Sequence, residues 1–283
     1  MSNPPWPWIH GPASGHFPLV PGESCGNRFV MTSAKVTPAA FRAMKSRGEK
    51  IASLTAYDFP MTKLLDEAGI PLILVGDSVG MVLLGYPDTT HVTMAEMEHH
   101  VRAASRARPS ALLAADLPYR ACDTVAAAVE NAHRLVGAGA EAVKAEGGRD
   151  ILEQVRAIVQ AGIPFLGHLG MLPQRVLEEG GYHLKGKNNL EREALLADAL
   201  ALEKAGAFAI VLELVSPPVA QQISKSLAIP TIGIGSGPEC DGQILVTHDL
   251  IGAFPWFTPK FVKPRLDLAT QLRATVGQWK ASI

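Results

Sequence analysis

The feature that most constrains this chain is an alternation. Short continuous apolar runs take turns with stretches whose apolar residues recur at the helical period. The runs lie at residues 51–58, 71–77, 111–117, 141–146, 163–168, 208–213, 229–234 and, as a short eighth, 260–262. Helical stretches are expected at 37–47, 61–68, 93–108, from 123 through Leu135, 150–161, 191–205, 218–227, 243–251 and from 266 onward. The helix from 123 shows the spacing clearly, with Val125, Ala128, Val129, Ala132 and Leu135 on one face and Asp123 read as its cap. Thr37-Pro38 and Thr93-x-x-Glu96 read as helix starts. Strands that are apolar throughout, rather than alternating, belong to parallel sheets buried on both faces. Eight such strands interleaved with helices over about 230 residues match a (β/α)8 TIM barrel, typically about 250 residues. A doubly wound open sheet is the alternative. It needs a glycine fingerprint after its first strand, where this chain has Ala56-Tyr57-Asp58-Phe59-Pro60.

The chain has 283 residues, so a length prior alone allows two domains or one barrel. Residues 1–31 account for the excess: they are rich in proline and glycine, nearly uncharged, and read as a poorly ordered extension before a single catalytic barrel at 32–283. They lack the basic and apolar regions of a secretory signal. Met31 is a plausible alternative start, and Trp6 and Trp8 a plausible docking tail. With 26 basic and 27 acidic residues there is no broad field for nucleic acid or an anionic membrane. No run of about 18 apolar residues suggests a membrane span. Three scattered cysteines form no disulfide framework or zinc knuckle and suit a reducing, cytoplasmic setting.

A barrel places its chemistry at the carboxyl ends of its strands. Taken in order, the runs end in Asp58, Asp77-Ser78, Asp116, Lys144 with Glu146, His168 and Glu213, and the seventh leads into Gly233-Ile234-Gly235-Ser236-Gly237. One such aspartate is commonly a turn former or a helix cap. Several carboxylates around one mouth repel each other and imply a cation. Oxygen donors without cysteines or paired histidines suit Mg2+ or Mn2+ rather than zinc. His99 and His100 read as surface residues, and Asp241, His248 and Asp249 as parts of a loop and helix ends. Lys144 has three readings: a Schiff-base lysine, a point charge for a substrate carboxylate, or a partner for Glu146. The carboxylates around it favour the second. The glycine-rich run is either a phosphate cradle or a tight turn.

These residues stand in ordered motifs: Thr55-Ala56-Tyr57-Asp58, Leu74-Val75-Gly76-Asp77-Ser78, Ala115-Asp116-Leu117-Pro118, Val143-Lys144-Ala145-Glu146-Gly147-Gly148, Gly167-His168-Leu169-Gly170, Gly180-Gly181-Tyr182, Ile210-Val211-Leu212-Glu213, Ile232-Gly233-Ile234-Gly235, Asp241 to Val246 and Pro259-Lys260-Phe261. From about residue 35 to 270 the chain resembles the ketopantoate hydroxymethyltransferase family. That resemblance implies transfer of a hydroxymethyl group from 5,10-methylenetetrahydrofolate to 3-methyl-2-oxobutanoate, giving 2-dehydropantoate in the first step of pantothenate biosynthesis. It implies Mg2+ and a homo-oligomer, a decamer in well-known members. It implies Asp77 and Asp116 as Mg2+ ligands, with Glu146 completing the metal site through water. Ser78 and Lys144 would hold the 2-oxo acid, and Glu213 would accept the proton. His168 is expected beside the substrate. Met171-Leu172-Pro173-Gln174 and His91 depart from the usual pattern at positions that carry no catalytic group. Two other readings stay open: a metal-dependent lyase of the phosphoenolpyruvate mutase and isocitrate lyase type, which usually carries a lid cysteine, and a non-catalytic barrel.

Overall fold

The computed structural model describes residues 34–283. The expected extension at 1–31 lies outside them. In chain order the elements are α1 (Pro38–Ser46), β1 (Ile51–Thr55), α2 (Phe59–Glu67), β2 (Leu72–Val75), α3 (Met94–Ser105), β3 (Leu112–Asp116), α4 (Val125–Ala138), β4 (Ala142–Glu146), α5 (Leu152–Gln160), β5 (Phe165–Gly170), α6 (Asn189–Ala205), β6 (Ala209–Glu213), α7 (Pro217–Ser226), β7 (Thr231–Ile234), β8 (Gly242–Leu245), α8 (Thr247–Leu250) and α9 (Leu268–Ala281). The eight strands are parallel and close into a barrel in sequence order, β8 pairing back onto β1. The expected (β/α)8 architecture is what the chain adopts, and the open sheet is excluded.

The eighth strand corrects the sequence reading. It lies at Gly242–Leu245, inside a stretch expected to be helical, and residues 260–262 form no strand. No helix separates β7 from β8. Helix α4 begins one residue later than expected: Thr124, not Asp123, accepts the Ala127 N–H. The capping box on α3 is present with both reciprocal bonds.

Side-chain alternation divides the barrel into floor and mouth. Inward positions on successive strands carry Ile51, Leu72, Leu74, Leu112, Ala114, Ala142, Leu166, Ala209, Val211, Ile232 and Ile244, a contiguous apolar cluster. Phe41 of α1 belongs to the same cluster, fully buried, its ring 5.6 Å from that of Phe208. The opposite parity (Ile73, Leu113, Val143, Phe165, Ile210) packs beneath the helices. The same period continued toward the carboxyl ends puts Asp116 after Ala114, Lys144 and Glu146 after Ala142, His168 after Leu166 and Glu213 after Val211. The apolar floor and the polar mouth are thus one alternation read at two heights.

Candidate active site

Strand register brings these polar residues together in pairs. Asp116 on β3 lies beside Lys144 on β4, and Glu146 on β4 beside His168 on β5. Gly170 on β5 lies beside Glu213 on β6. Asp77 arrives differently, from the turn after β2. Its backbone N–H donates to Asp116 Oδ2 at 3.0 Å. Gly76 allows that turn: a Cβ there would sit 2.8 Å from Ser78 Oγ. Asp77, Ser78, Asp116, Lys144, Glu146, His168 and Glu213 all line one cavity of about 550 Å3. Asp58 does not; it caps α2, accepting the Met61 N–H at 2.8 Å, in line with the helix-cap reading.

Inside the cavity Lys144 Nζ donates to Asp116 Oδ1 at 2.6 Å, with both side chains buried. Its first partner is therefore Asp116 rather than Glu146. Burial works against the ammonium charge, but Asp116, Asp77 and Glu146 outweigh burial and keep it charged. That environment is the wrong one for a neutral Schiff-base amine. Burial, and then the neighbouring Asp116 charge, push the Asp77 carboxyl up to about 7. Burial, followed by Asp77, holds Glu146 well above the ordinary carboxylate range. Burial lifts Glu213 to about 7. His168 is buried between two of these groups, Nε2 at 3.3 Å from Glu213 Oε2 and Nδ1 at 3.6 Å from Glu146 Oε1. Burial and the Lys144 charge hold it neutral, well below the usual imidazole range.

One participant has no signature in the sequence. Gln174, on the short 3-10 turn Pro173–Arg175 after β5, donates from Nε2 to Asp77 Oδ2 (2.7 Å) and to the Leu117 carbonyl (3.0 Å). Its backbone N–H donates to Glu146 Oε2 at 3.0 Å. Tyr57, not among the expected site residues, also joins the site: its hydroxyl shares a 2.9 Å hydrogen bond with Ser78 Oγ.

Among the described residues no three His, Cys, Asp or Glu side chains close into a ready-made metal cage. The donor set nevertheless fits Mg2+. The carboxylates of Asp77, Asp116, Glu146 and Glu213 offer oxygen around the Lys144 ammonium, and Asp249 and Lys260 line the same cavity. Glu146 Oε1 is buried with no hydrogen-bond partner. Mg2+ commonly takes one or two protein carboxylates and keeps water and substrate oxygens for the rest, so no closed cage is required.

A barrel supports many chemistries, and the site alone does not choose among them. The family model for ketopantoate hydroxymethyltransferase matches residues 35–283. The chain belongs to that family. Proteins named 3-methyl-2-oxobutanoate hydroxymethyltransferase match it closely. The one from Moorella thermoacetica is 51% identical over 88% of this chain and 94% of its own length. The one from Ignicoccus hospitalis is 52% identical over 88% of this chain and 95% of its own. Among solved structures, a putative phosphonomutase from Burkholderia cenocepacia superposes with a TM-score of 0.62 at 17% identity, covering 85% of this chain and 99% of that one. At that identity the likeness shows a shared barrel and nothing of its chemistry.

As a ketopantoate hydroxymethyltransferase family member, the chain differs from the sequence reading at two further points, His100 and Asp249, and takes one of the two forms open to the glycine-rich run. His100 is buried, not on the surface; Met97, His100, Val101 and Ala104 form the inner face of α3, and His100 Nδ1 contacts the Tyr57 carbonyl at 2.8 Å. Asp249 lines the cavity instead of simply ending a helix. The run Gly233–Gly237 takes the tight-turn form. Gly235 and Gly237 have positive φ, side chains of Phe261 and Pro217 press against them, and Ser236 is buried, donating to the Leu212 carbonyl. The lid cysteine of the lyase alternative has no counterpart among the described residues of this site: neither Cys122, which follows β3, nor Cys240 lines the cavity. No helix among the described residues is long and apolar enough to cross a membrane.

Proposed function

We propose that this chain transfers the one-carbon unit of 5,10-methylenetetrahydrofolate to C3 of 3-methyl-2-oxobutanoate, giving 2-dehydropantoate at the start of pantothenate biosynthesis. The observation that carries the reading is a carboxyl group poised near neutrality, Glu213, in one cavity with a fixed ammonium and a cluster of acidic oxygen donors. A general base works best when its pKa lies near the working pH.

Asp77 and Asp116, with Glu146 beyond them, are the residues that would hold Mg2+. When bound, the ion would act as a Lewis acid on the 2-oxo acid, lowering the cost of charge at its carbonyl oxygen. Lys144 and Ser78 hold and orient the substrate carboxylate. Gln174 keeps Asp77 and Glu146 turned toward the same volume. Glu213 takes the C3 proton, and His168, with Nε2 3.3 Å from the Glu213 carboxylate, packs beside it. The carbanion carbon then bonds to the one-carbon unit. That unit gives up its two C–N bonds for one C–C bond and one C–O bond to a water-derived oxygen. The C3 proton and one water proton end on the two folate nitrogens, so atoms balance.

The protein acts as a cytoplasmic homo-oligomer, decameric by family likeness. Helix α9 supports self-association: Leu272, Val276 and Trp279 lie exposed at helical spacing along it. The test of the reaction is direct. Purified protein with Mg2+ and both substrates should release 2-dehydropantoate and tetrahydrofolate in equal amounts by NMR. Failure to form either product overturns the assignment.

A further inference from the structure

The mechanism leaves one buried ionisable group in the cavity unused. Asp249 on α8 is 8% exposed and lines the same cavity as the catalytic carboxylates. No hydrogen bond among the described residues reaches its carboxylate, although Asp77, Asp116 and Glu146 each have at least one. A carboxylate this enclosed, with no donor from the protein, is left to accept one from a ligand in the cavity it lines. Its placement is rigid. The Thr247 hydroxyl donates to the Thr55 carbonyl at 2.5 Å and the Thr247 N–H to Thr55 Oγ1 at 3.1 Å, pinning the start of α8 to β1. The β8–β1 seam is diametrically opposite β4 and β5, which carry Lys144, Glu146 and His168. Asp249 thus lies across the mouth from Lys144, Glu146 and His168.

Two further observations concern what fills the space between. The cavity, at about 550 Å3, lies within the range of about 300–1,000 Å3 that holds a drug-sized ligand, well beyond a five-carbon acid. Phe254, Phe257 and Phe261, which follow Asp249 in the chain, line the same cavity, and Phe257 is half exposed. Rings and a carboxylate with no protein donor in one cavity suit a flat heterocycle that presents adjacent N–H donors along one edge.

We infer that Asp249, with Phe254 and Phe257 beside it, is the seat of the folate's 2-amino-4-oxo ring, the Asp249 carboxylate accepting both the ring N–H and the exocyclic amino group. This rests on the proposed folate donor. Two parallel donors to one carboxylate fix the ring in its plane and direct its one-carbon unit toward Glu213. Burial lifts the Asp249 carboxyl to about 6, so at pH 7 it is an acceptor. Asparagine would offer one acceptor and one donor and could not take both N–H groups.

The test is a thermodynamic cycle on the full chain, with tetrahydrofolate and its analogue lacking the 2-amino group as probes in calorimetry. Wild-type protein should bind the analogue roughly 10- to 100-fold more weakly than tetrahydrofolate, the scale of one lost charge-assisted hydrogen bond. Asp249→Asn should bind tetrahydrofolate that much more weakly and no longer tell the two apart. Equal binding of both probes by wild type overturns the inference, and so does an Asp249→Asn variant that still discriminates. If wild type binds neither probe, the folate reading itself falls. The wild-type comparison involves no substitution and decides the matter even for a variant that fails to fold; melting curves report which case holds.

Discussion

His168 Nε2 lies 3.3 Å from Glu213 Oε2, and the other nitrogen of the same ring lies 3.6 Å from Glu146 Oε1. Among the described residues neither ring nitrogen makes a hydrogen bond, and Glu146 Oε1 likewise has no partner. A neutral imidazole offers one N–H and one lone pair, so His168 stands between the two carboxylates as an uncharged neighbour that fills the space beside Glu213. His168→Ala should lower kcat by roughly 10- to 100-fold, on the scale of letting a catalytic group shift from its position, with a smaller change in KM for the 2-oxo acid. Steady-state kinetics that show only a KM effect would contradict this positioning role.

The pH profile has a defined sign. Glu213 works as a base only when ionised, and its carboxyl stands at about 7. The value of kcat/KM should climb tenfold per pH unit below that point and level off above it. A profile already flat at pH 5.5 would contradict Glu213 as the group that titrates.

Asp77 sets function against stability. Its carboxyl stands at about 7 in the fold and at 3.8 when unperturbed. The fold thus binds a proton more tightly than the unfolded chain; that stabilising contribution is complete below pH 3.8 and lost as pH rises through about 7. In EDTA, Asp77→Asn should raise stability at pH 8 by on the order of 2–4 kcal/mol, with the gain shrinking toward pH 5. The variant should be inactive. Melting curves at the two pH values check the sign, and a variant less stable at pH 8 would contradict it.

The barrel's amino-terminal end should carry stability without chemistry. Phe41→Ala empties a fully buried position on the floor and should cost about 3–5 kcal/mol in denaturant unfolding, with kcat retained in the folded fraction. Gly170→Ala makes the contrast. Gly170 has φ +101°, and a Cβ there would overlap the Glu213 carbonyl oxygen. It should cost stability and also lower kcat/KM by at least tenfold, because the displaced strand end carries the base.

Most of this site could be read from the chain because alternation and strand ends carry the information. Once 142, 144 and 146 are one face of a strand, Lys144 and Glu146 share the mouth, and the same holds for Val211 with Glu213. Strand β8 escaped for a physical reason. Gly242–Leu245 has four residues, a glycine and an exposed Gln243, and it follows β7 without a helix, so neither an apolar run nor the strand–helix rhythm marks it. Gly242 is required there, since a Cβ would overlap the Ile51 carbonyl where the barrel closes. His100 was legible in principle, on the same face of α3 as Met97 and Val101, but its type suggested a surface. Gln174 and Asp249 were not legible. Their roles depend on which loop folds over which strand, and no local pattern records that.

The central claim is that Glu213 removes the C3 proton of a bound 2-oxo acid. The most direct measurement is exchange of that proton in D2O, followed by NMR with 3-methyl-2-oxobutanoate, Mg2+ and no folate. Wild-type protein should wash deuterium into C3, EDTA should abolish the exchange, and Glu213→Gln should slow it by at least about 100-fold, the scale of a lost general base. Normal exchange in Glu213→Gln, or none in the wild type, would contradict the account.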